Sequence, residues 1–236
     1  MFFDMTYVYF VIPAMLVALW AQIRVKSTYS KYSKVFNSRG ITGADAARRV
    51  LDANGLSYIR IERVAGELTD HYDPKEDVIR LSEGVYGSAS AAAVGIACHE
   101  AGHAVQHACE YLPAKIRSAI VPATKIGSTL SMILLPVGII LAALGYYYAV
   151  SIAYIGLIGY GVCALFQVVT LPTEFNASSR AMAAINQTEL LTQDEQKGAR
   201  KVLSAAALTY VAALFVSIMT ILRFLIIISS VSGRRR

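Results

Sequence analysis

The residues most able to do chemistry lie within five positions near the middle of the chain. His99 and His103 flank Glu100 in the order His-Glu-x-x-His. In an α-helix, residues four apart lie on one face, about 6 Å apart along the axis, so both imidazoles can reach one metal ion. Glu100 then points to the side where a metal-activated water would sit. The pattern predicts a catalytic zinc site and peptide hydrolysis.

The residues around this pattern indicate a buried helix. The segment SASAAAVGIACHEAGHAVQHACEY is mostly small and apolar, and the whole chain of 236 residues holds only four histidines. Such a run is typical of one helix with the motif in its middle. Two histidines and a glutamate in a buried helix need partners that offset their desolvation, and a metal ion supplies them.

A catalytic zinc usually takes three protein ligands and a water, so a third ligand must come from elsewhere. His107 lies two turns beyond His99, about 12 Å along a straight helix, so one ion cannot easily reach both. We expect His107 on the helix face or as a residue that supports a ligand. Glu174 follows Pro172 and a long apolar run, where an unsatisfied charge would be costly. Glu174 could instead complement a helix N-terminus. His71 and nearby aspartates are further candidates, so the residues alone leave the third ligand open.

The composition points to a membrane protein. Hydrophobic residues make up 56% of the chain and charged residues 16%. Four apolar runs are each long enough to cross a hydrocarbon layer of ~30 Å as a helix; they are residues 2–23, 128–148, 150–171 and 203–228. We therefore expect an α-helical integral membrane protein with about four transmembrane helices and a small α+β cytoplasmic catalytic unit.

Charges next to the apolar runs predict the orientation. The first run is followed, not preceded, by basic residues, which favours an uncleaved anchor over a signal peptide and places residues 25–114 in the cytoplasm. The basic tail of residues 234–236 conflicts with this, since four crossings would put it outside. Either the last run stops near Arg223 or the tail is an exception. We expect a membrane protein with its active site on the cytoplasmic side.

The expected organisation has five parts. Residues 1–24 form an N-terminal anchor and 25–114 an α+β unit with the motif helix. Residues 115–172 form a transmembrane hairpin, 173–202 a cytoplasmic segment that carries Glu174, and 203–236 the last transmembrane helix with the basic tail.

Within the α+β unit, turn and capping signals predict one helix and two strands. Thr42 with Asp45 three residues later is typical of a helix start, and Asn54-Gly55 of a helix end. The segments SYIRIERV and DVIRLS are predicted strands, and HYDPKED between them a turn-rich connection. DVIRLS could be an edge strand that pairs with an extended substrate, or an ordinary inner strand.

The sequence gives little support for a disulfide-stabilised protein or for a nucleic-acid-binding protein. The cysteines Cys98, Cys109 and Cys163 lie in apolar settings, which indicates packing in a reducing compartment and not a disulfide framework. The net charge of +6 is explained by membrane topology, and no aromatic-basic pattern suggests a nucleic-acid partner. We expect a lipid bilayer and a peptide or membrane-protein substrate; the sequence carries no signal for an oligomeric state.

The motifs together resemble those of the YugP-type bacterial membrane zinc metallopeptidases. The segments HYDP, VIRLS, HEAGHAVQH, LPTEFNASSRA and AAALTYVAA occur in that family's order. More distantly, EFNAS is similar to the glutamate-aromatic-x-Ala-Asp element of the HtpX and CAAX-processing membrane peptidases. This resemblance implies that Glu174 is the third zinc ligand. It also implies that the catalytic unit is of the gluzincin type and that the membrane is the bacterial inner membrane. The aspartate that supports a zinc histidine in the wider group is replaced here by Ser178, a weaker orienting partner.

These residues suggest a mechanism. His99, His103 and Glu174 would hold Zn²⁺, and Glu100 would act as the general base. The oxyanion needs a further donor, for which His71, Tyr72 and Arg180 are candidates, although each could have a structural role instead.

The alternative function is a membrane scaffold or chaperone with a structural zinc. That site would be closed by a fourth protein ligand, such as His107 or a cysteine, and would have no use for Glu100 as a base. A transporter would require paired charges inside the spans, which are few here.

Overall fold

The computed structural model describes residues 5–233. After a π-helical turn at Tyr7–Val11, the helices are α1 (Ile12–Tyr32), α2 (Gly43–Ala53), α3 (Glu83–Tyr86), α4 (Ala91–Ala108), α5 (Leu112–Ala143), α6 (Ala149–Gln187) and α7 (Gln193–Gly233). Three strands lie between α2 and α3, namely β1 (Arg60–Val64), β2 (His71–Asp73) and β3 (Val78–Ser82). The fold is mostly helical with one small mixed sheet.

Within residues 5–233, four helices are long and apolar enough to cross a membrane, as predicted. They are Tyr7–Tyr32, Leu112–Ala143, Ala149–Gln187 and Gln193–Gly233. The helices extend beyond the apolar runs into polar sequence because hydrogen bonding along a helix does not depend on hydropathy. The last helix continues through Arg223 without a break, and the Arg223 guanidinium lies 5.2 Å from the centre of the Tyr7 ring. The tail of residues 234–236 lies outside the described part of the chain.

The chain forms two compact units. The helical unit contains the described residues up to Trp20, together with Ile116–Leu171 and the described residues from Tyr210 onward. The second, here called the sheet-bearing unit, contains Ala21–Lys115 and Pro172–Thr209. All the residues proposed to do chemistry belong to the sheet-bearing unit.

The sheet has the strand order β1-β3-β2, with β3 parallel to β1 and antiparallel to β2. Of the two alternatives for DVIRLS, an edge strand or an inner strand, the structure has the inner strand, because β3 is bonded on both sides. Val78 on one face of this strand and Ile79 and Leu81 on the other are fully buried, as expected for an inner strand covered on both faces.

The segment HYDPKED is only partly the predicted turn, because His71–Asp73 forms β2. Three residues are too few to show the alternation of a strand in the sequence. The rest of the segment does turn: the Lys75 backbone N–H donates to the Asp73 side chain over 2.9 Å, an interaction typical of turns.

The helix starts in this unit follow local capping rules. Thr42 and Asp45 form the predicted capping box at the start of α2, and the Ser90 hydroxyl accepts from the Ala93 backbone N–H at the start of α4. Each cap satisfies backbone donors that lack a partner inside the helix. The helix α4 packs against α2, α3, β2 and β3, and its small residues are buried in the core. The motif therefore lies on a buried helix, as predicted.

Candidate metal centre

The helix α4 places both motif histidines on one face. The ring centroids of His99 and His103 lie 4.7 Å apart, with the rings nearly perpendicular. This follows from their spacing of four residues, which returns to the same face after one turn. Both rings are partly exposed, whereas Glu100 between them is only 8% exposed. The local sequence is sufficient to create this half of the site.

The helix α6 brings a third side chain to these histidines. The Glu174 Oε2 atom lies 3.3 Å from Nε2 of His99 and 3.5 Å from Nε2 of His103, and Glu174 is 2% exposed. The three ligand atoms lie within 4.8 Å of one another, close enough to hold one metal ion. Glu174 is 75 residues from His99, so this convergence depends on the packing of two helices.

A glycine inside the motif permits that packing. A Cβ atom built on Gly102 would lie 2.8 Å from the Ala177 carbonyl oxygen. That distance is shorter than a van der Waals contact, so any larger residue would push α6 away from α4. The glycine between the two histidines thus allows the backbone that carries Glu174 to approach.

Gln106 fixes the orientation of His103. The Gln106 amide nitrogen donates to the Thr173 carbonyl over 2.8 Å and to Asn176 Oδ1 over 2.9 Å. A carbonyl oxygen can only accept, so the amide oxygen of Gln106 must face His103 Nδ1, 3.0 Å away. His103 therefore carries its proton on Nδ1 when neutral, and the lone pair of Nε2 points towards Glu174.

Ser178 supports the other histidine. Its hydroxyl lies 3.1 Å from His99 Nδ1. This hydroxyl thus lies beside the histidine nitrogen that faces away from Glu174. A hydroxyl can donate or accept, so this contact orients the ring without selecting one tautomer.

Arg180 joins the network around His103. Its Nε donates to Asn176 Oδ1 over 2.8 Å, and its Nη2 lies 3.5 Å from Cys109 Sγ. Because Asn176 also accepts from Gln106, a continuous chain of hydrogen bonds runs from Arg180 to His103. The structure brings this predicted site residue to the metal centre through its neighbours.

His71 and His107 lie outside the group of possible ligands found among residues 5–233. His71 is exposed on β2, where its Nδ1 lies 2.8 Å from the Thr69 carbonyl oxygen. His107 is also exposed, with its ring 6.1 Å from the ring of Tyr72. The surface position of His107 agrees with its predicted distance from His99 along the helix.

The arrangement fits a zinc ion. Two imidazole nitrogens and one carboxylate oxygen are the donor types that catalytic zinc prefers. Burial disfavours a charged imidazole, but the hydrogen bond with Glu174 and the nearby Glu100 outweigh it and raise the pKa of His103. The same carboxylates that favour a proton here would favour a metal cation in its place.

The sequence analysis did not identify Gln106 and Asn176. Gln106 is 1% exposed, and it lies three residues after His103 on the same helix. A polar residue at that spacing in an otherwise small and apolar helix is a usable signal, since side chains three apart face each other. Asn176 gives no comparable signal because its partners come from another helix.

Comparison with known proteins places the chain in a family. A family model described as "Putative neutral zinc metallopeptidase" matches residues 7–229. The chain is 45% identical over 223 residues to "Putative membrane protease YugP" of Bacillus subtilis (strain 168), which covers 94% of this chain and 96% of that protein. No solved structure matches the chain. The chain therefore belongs to the neutral zinc metallopeptidase family that this model defines.

Proposed function

We propose that this protein is an integral membrane zinc-dependent endopeptidase with a gluzincin-type site. His99, His103 and Glu174 are the proposed ligands, and the observation that carries the proposal is the convergence of their three ligand atoms within 4.8 Å. The family assignment and the four apolar helices support it. When bound, Zn²⁺ lowers the pKa of a coordinated water and polarises the substrate carbonyl.

Glu100 is the proposed general base. It is buried beside the two histidines, and its charge influences the pKa of His103. From this position its carboxylate accepts the proton of the attacking water and then passes that proton to the leaving amine. A buried carboxylate next to the reacting water loses little energy to solvent reorganisation.

Arg180 and His71 have different proposed roles. The guanidinium of Arg180 is held by Asn176 and Cys109, which supports a role in positioning His103 through Gln106. His71 lies exposed on β2, which packs against α4, and this position supports a contact with the substrate oxyanion. The strand β2 lies at an edge of the sheet, whereas β3 is bonded on both sides, so an extended substrate would pair with β2.

The donor set supports a catalytic over a structural zinc. A structural site would be closed by a fourth protein ligand. Among residues 5–233 the grouped donors are His99, His103 and Glu174, and neither His107 nor a cysteine joins them. A fourth position would remain for water and substrate.

The decisive test is a Glu100→Gln substitution. The purified variant should retain zinc, because the ligands are unchanged, and should lose at least about a hundredfold in the rate of casein cleavage. Glu110→Gln is a matched control, because Glu110 is an exposed residue paired with Lys115. A zinc-loaded Glu100→Gln protein with the wild-type rate would contradict the base assignment.

The cellular side of the site can be tested with a natural cysteine. We propose that the site faces the cytoplasm of a bacterial inner membrane and acts on peptides or membrane proteins near the membrane surface. Cys109 is exposed next to Arg180 and Cys98 is buried. In a Cys163→Ser background, a membrane-impermeant maleimide should label Cys109 only after the cells are permeabilised. Labelling of intact spheroplasts would place the site outside.

A further inference from the structure

A pocket lies in the sheet-bearing unit away from the proposed zinc ligands. Its volume is about 500 Å³, and it is formed by the end of α1, from Arg24 to Tyr32, and by the start of α7, from Lys201 to Leu208. None of the proposed zinc ligands lines it. The proposed peptidase activity gives it no role.

The charges in this pocket are all positive. Arg24, Lys31 and Lys201 line it, and no acidic residue of the described chain does. The Nζ atoms of Lys31 and Lys201 lie 5.6 Å and 5.9 Å from the centre of one Tyr32 ring. Neither lysine forms an ion pair with a carboxylate within residues 5–233. Both ammonium groups line the same pocket with no carboxylate partner among the described residues, so an anion bound in it would be stabilised.

Hydroxyl groups complete the polar side of the pocket. Thr28 and Ser204 both line it, and neither hydroxyl makes a hydrogen bond in the part of the chain that the structure describes. Hydroxyls on a helix usually donate to a carbonyl one turn back. Here two of them remain available beside the cations, and phosphate oxygens would accept hydrogen bonds from such groups.

The pocket lies where both helices change from polar to apolar sequence. On α1 the apolar run ends at Ile23 and the first charge is Arg24; on α7 the charged pair Arg200 and Lys201 precedes the apolar run from Val202. Basic residues at such a boundary are typical of the level of lipid headgroups. Ala205 and Leu208 line the apolar side of the same pocket.

We propose that this pocket binds the phosphate headgroup of an anionic membrane lipid. Lys31, Lys201 and Arg24 contact the phosphate, and the Thr28 and Ser204 hydroxyls donate to its oxygens. Ala205 and Leu208 contact the glycerol and the start of an acyl chain. The combination of three cations with an adjoining apolar wall favours a phospholipid over a free phosphate ion, which has no apolar part to bury.

The test uses the full chain purified in mild detergent. Lys31→Gln/Lys201→Gln removes two cations from the pocket and leaves Tyr32 in place. Lys26→Gln/Arg200→Gln removes two exposed cations from the same two helices outside the pocket and is the matched control. Short-chain phosphatidylglycerol, short-chain phosphatidylcholine and inorganic phosphate are each titrated, with the thermal midpoint as the readout. Native mass spectrometry counts the lipids retained after purification.

Phosphatidylglycerol should raise the midpoint of the wild type and of the control, and roughly tenfold more of it should be needed for the pocket variant. Retained anionic lipid should be lost from the pocket variant alone. Lys201→Glu should weaken the response to phosphatidylglycerol more than neutralising Lys201 does, because it reverses this charge and does not merely remove it. Equal responses of the pocket and control variants would overturn the proposal. A full shift with inorganic phosphate or phosphatidylcholine would overturn the choice of an anionic lipid.

Discussion

The two sides of the metal centre are supported in different ways. His103 is hydrogen-bonded to the buried Gln106 side chain, which donates in turn to the Thr173 carbonyl and to Asn176 Oδ1. On the other side, the Nδ1 atom of His99 contacts one group within residues 5–233, the hydroxyl of Ser178. Both histidines direct Nε2 towards the same Glu174 oxygen. Both histidines are proposed to bind the same metal ion, but the hydrogen-bond network that orients His103 is more extensive than the one that orients His99.

The difference shows that the orientation of His103 is more strictly fixed than that of His99. An amide held by a backbone carbonyl has one orientation, so it selects one tautomer of His103. A hydroxyl rotates and accommodates either tautomer of His99. Groups around the ligands set their orientation and basicity, so the two sides should contribute unequally to zinc affinity. Substitutions at four positions test this comparison, and they are given in order of decreasing expected effect on zinc binding.

Glu174→Ala should have the largest effect because it removes the group that both sides share. We expect zinc affinity to fall by roughly a thousandfold or more, since one of three proposed ligands is lost. Metal content after dialysis, measured by atomic emission, gives the result. Glu189→Ala, which removes an exposed glutamate further along the chain, is the control. Unchanged zinc stoichiometry in Glu174→Ala would remove Glu174 from the ligand set.

Gln106→Ala should weaken zinc binding by about a hundredfold, the upper part of the range for groups that orient a ligand. His103 then loses its acceptor, and Asn176 and the Thr173 carbonyl lose a donor. Gln106→Glu keeps the acceptor for His103 but cannot donate to Thr173, so it should recover only part of the affinity. Competition with a chelator of known zinc affinity measures both variants. Equal affinity of wild type and Gln106→Ala would show that the comparison is wrong.

Ser178→Ala should have a smaller effect, about tenfold in zinc affinity. The sharper experiment is Ser178→Asp, which restores the carboxylate of the wider group and should orient His99 more strongly than the hydroxyl does. Zinc affinity in the order Asp, Ser, Ala at this position would support the role of Ser178. Ser179→Ala, at an exposed neighbouring position, should leave the affinity unchanged.

His107→Ala should leave zinc content and activity near their wild-type values. Its ring lies on the surface beside Tyr72, and surface substitutions usually change stability by less than about 0.5 kcal/mol. Zinc stoichiometry and the rate of casein cleavage are the measurements. A loss of zinc in this variant would reverse the choice between His107 and Glu174.

Much of the fold follows from local signals. Thr42 and Asp45 predict the start of α2 because a capping box involves only neighbouring residues. The four helices of residues 5–233 that are able to span a membrane follow from composition, because the length of an apolar run is read directly from the sequence. The strand at His71–Asp73 could not be predicted, and β3 could not be assigned as the central strand. Both depend on pairing between segments, and a short strand has no pattern of its own.

The sequence by itself determined that two histidines share a helix face with a glutamate between them, since helical spacing is a local property. Only the tertiary structure decided that Glu174 meets them from 75 residues away, that Gly102 allows the approach, and that Gln106 fixes the His103 tautomer. These contacts depend on how closely α4 and α6 pack. The distance between two helices is set by side chains on both, and no single segment of the sequence contains that information.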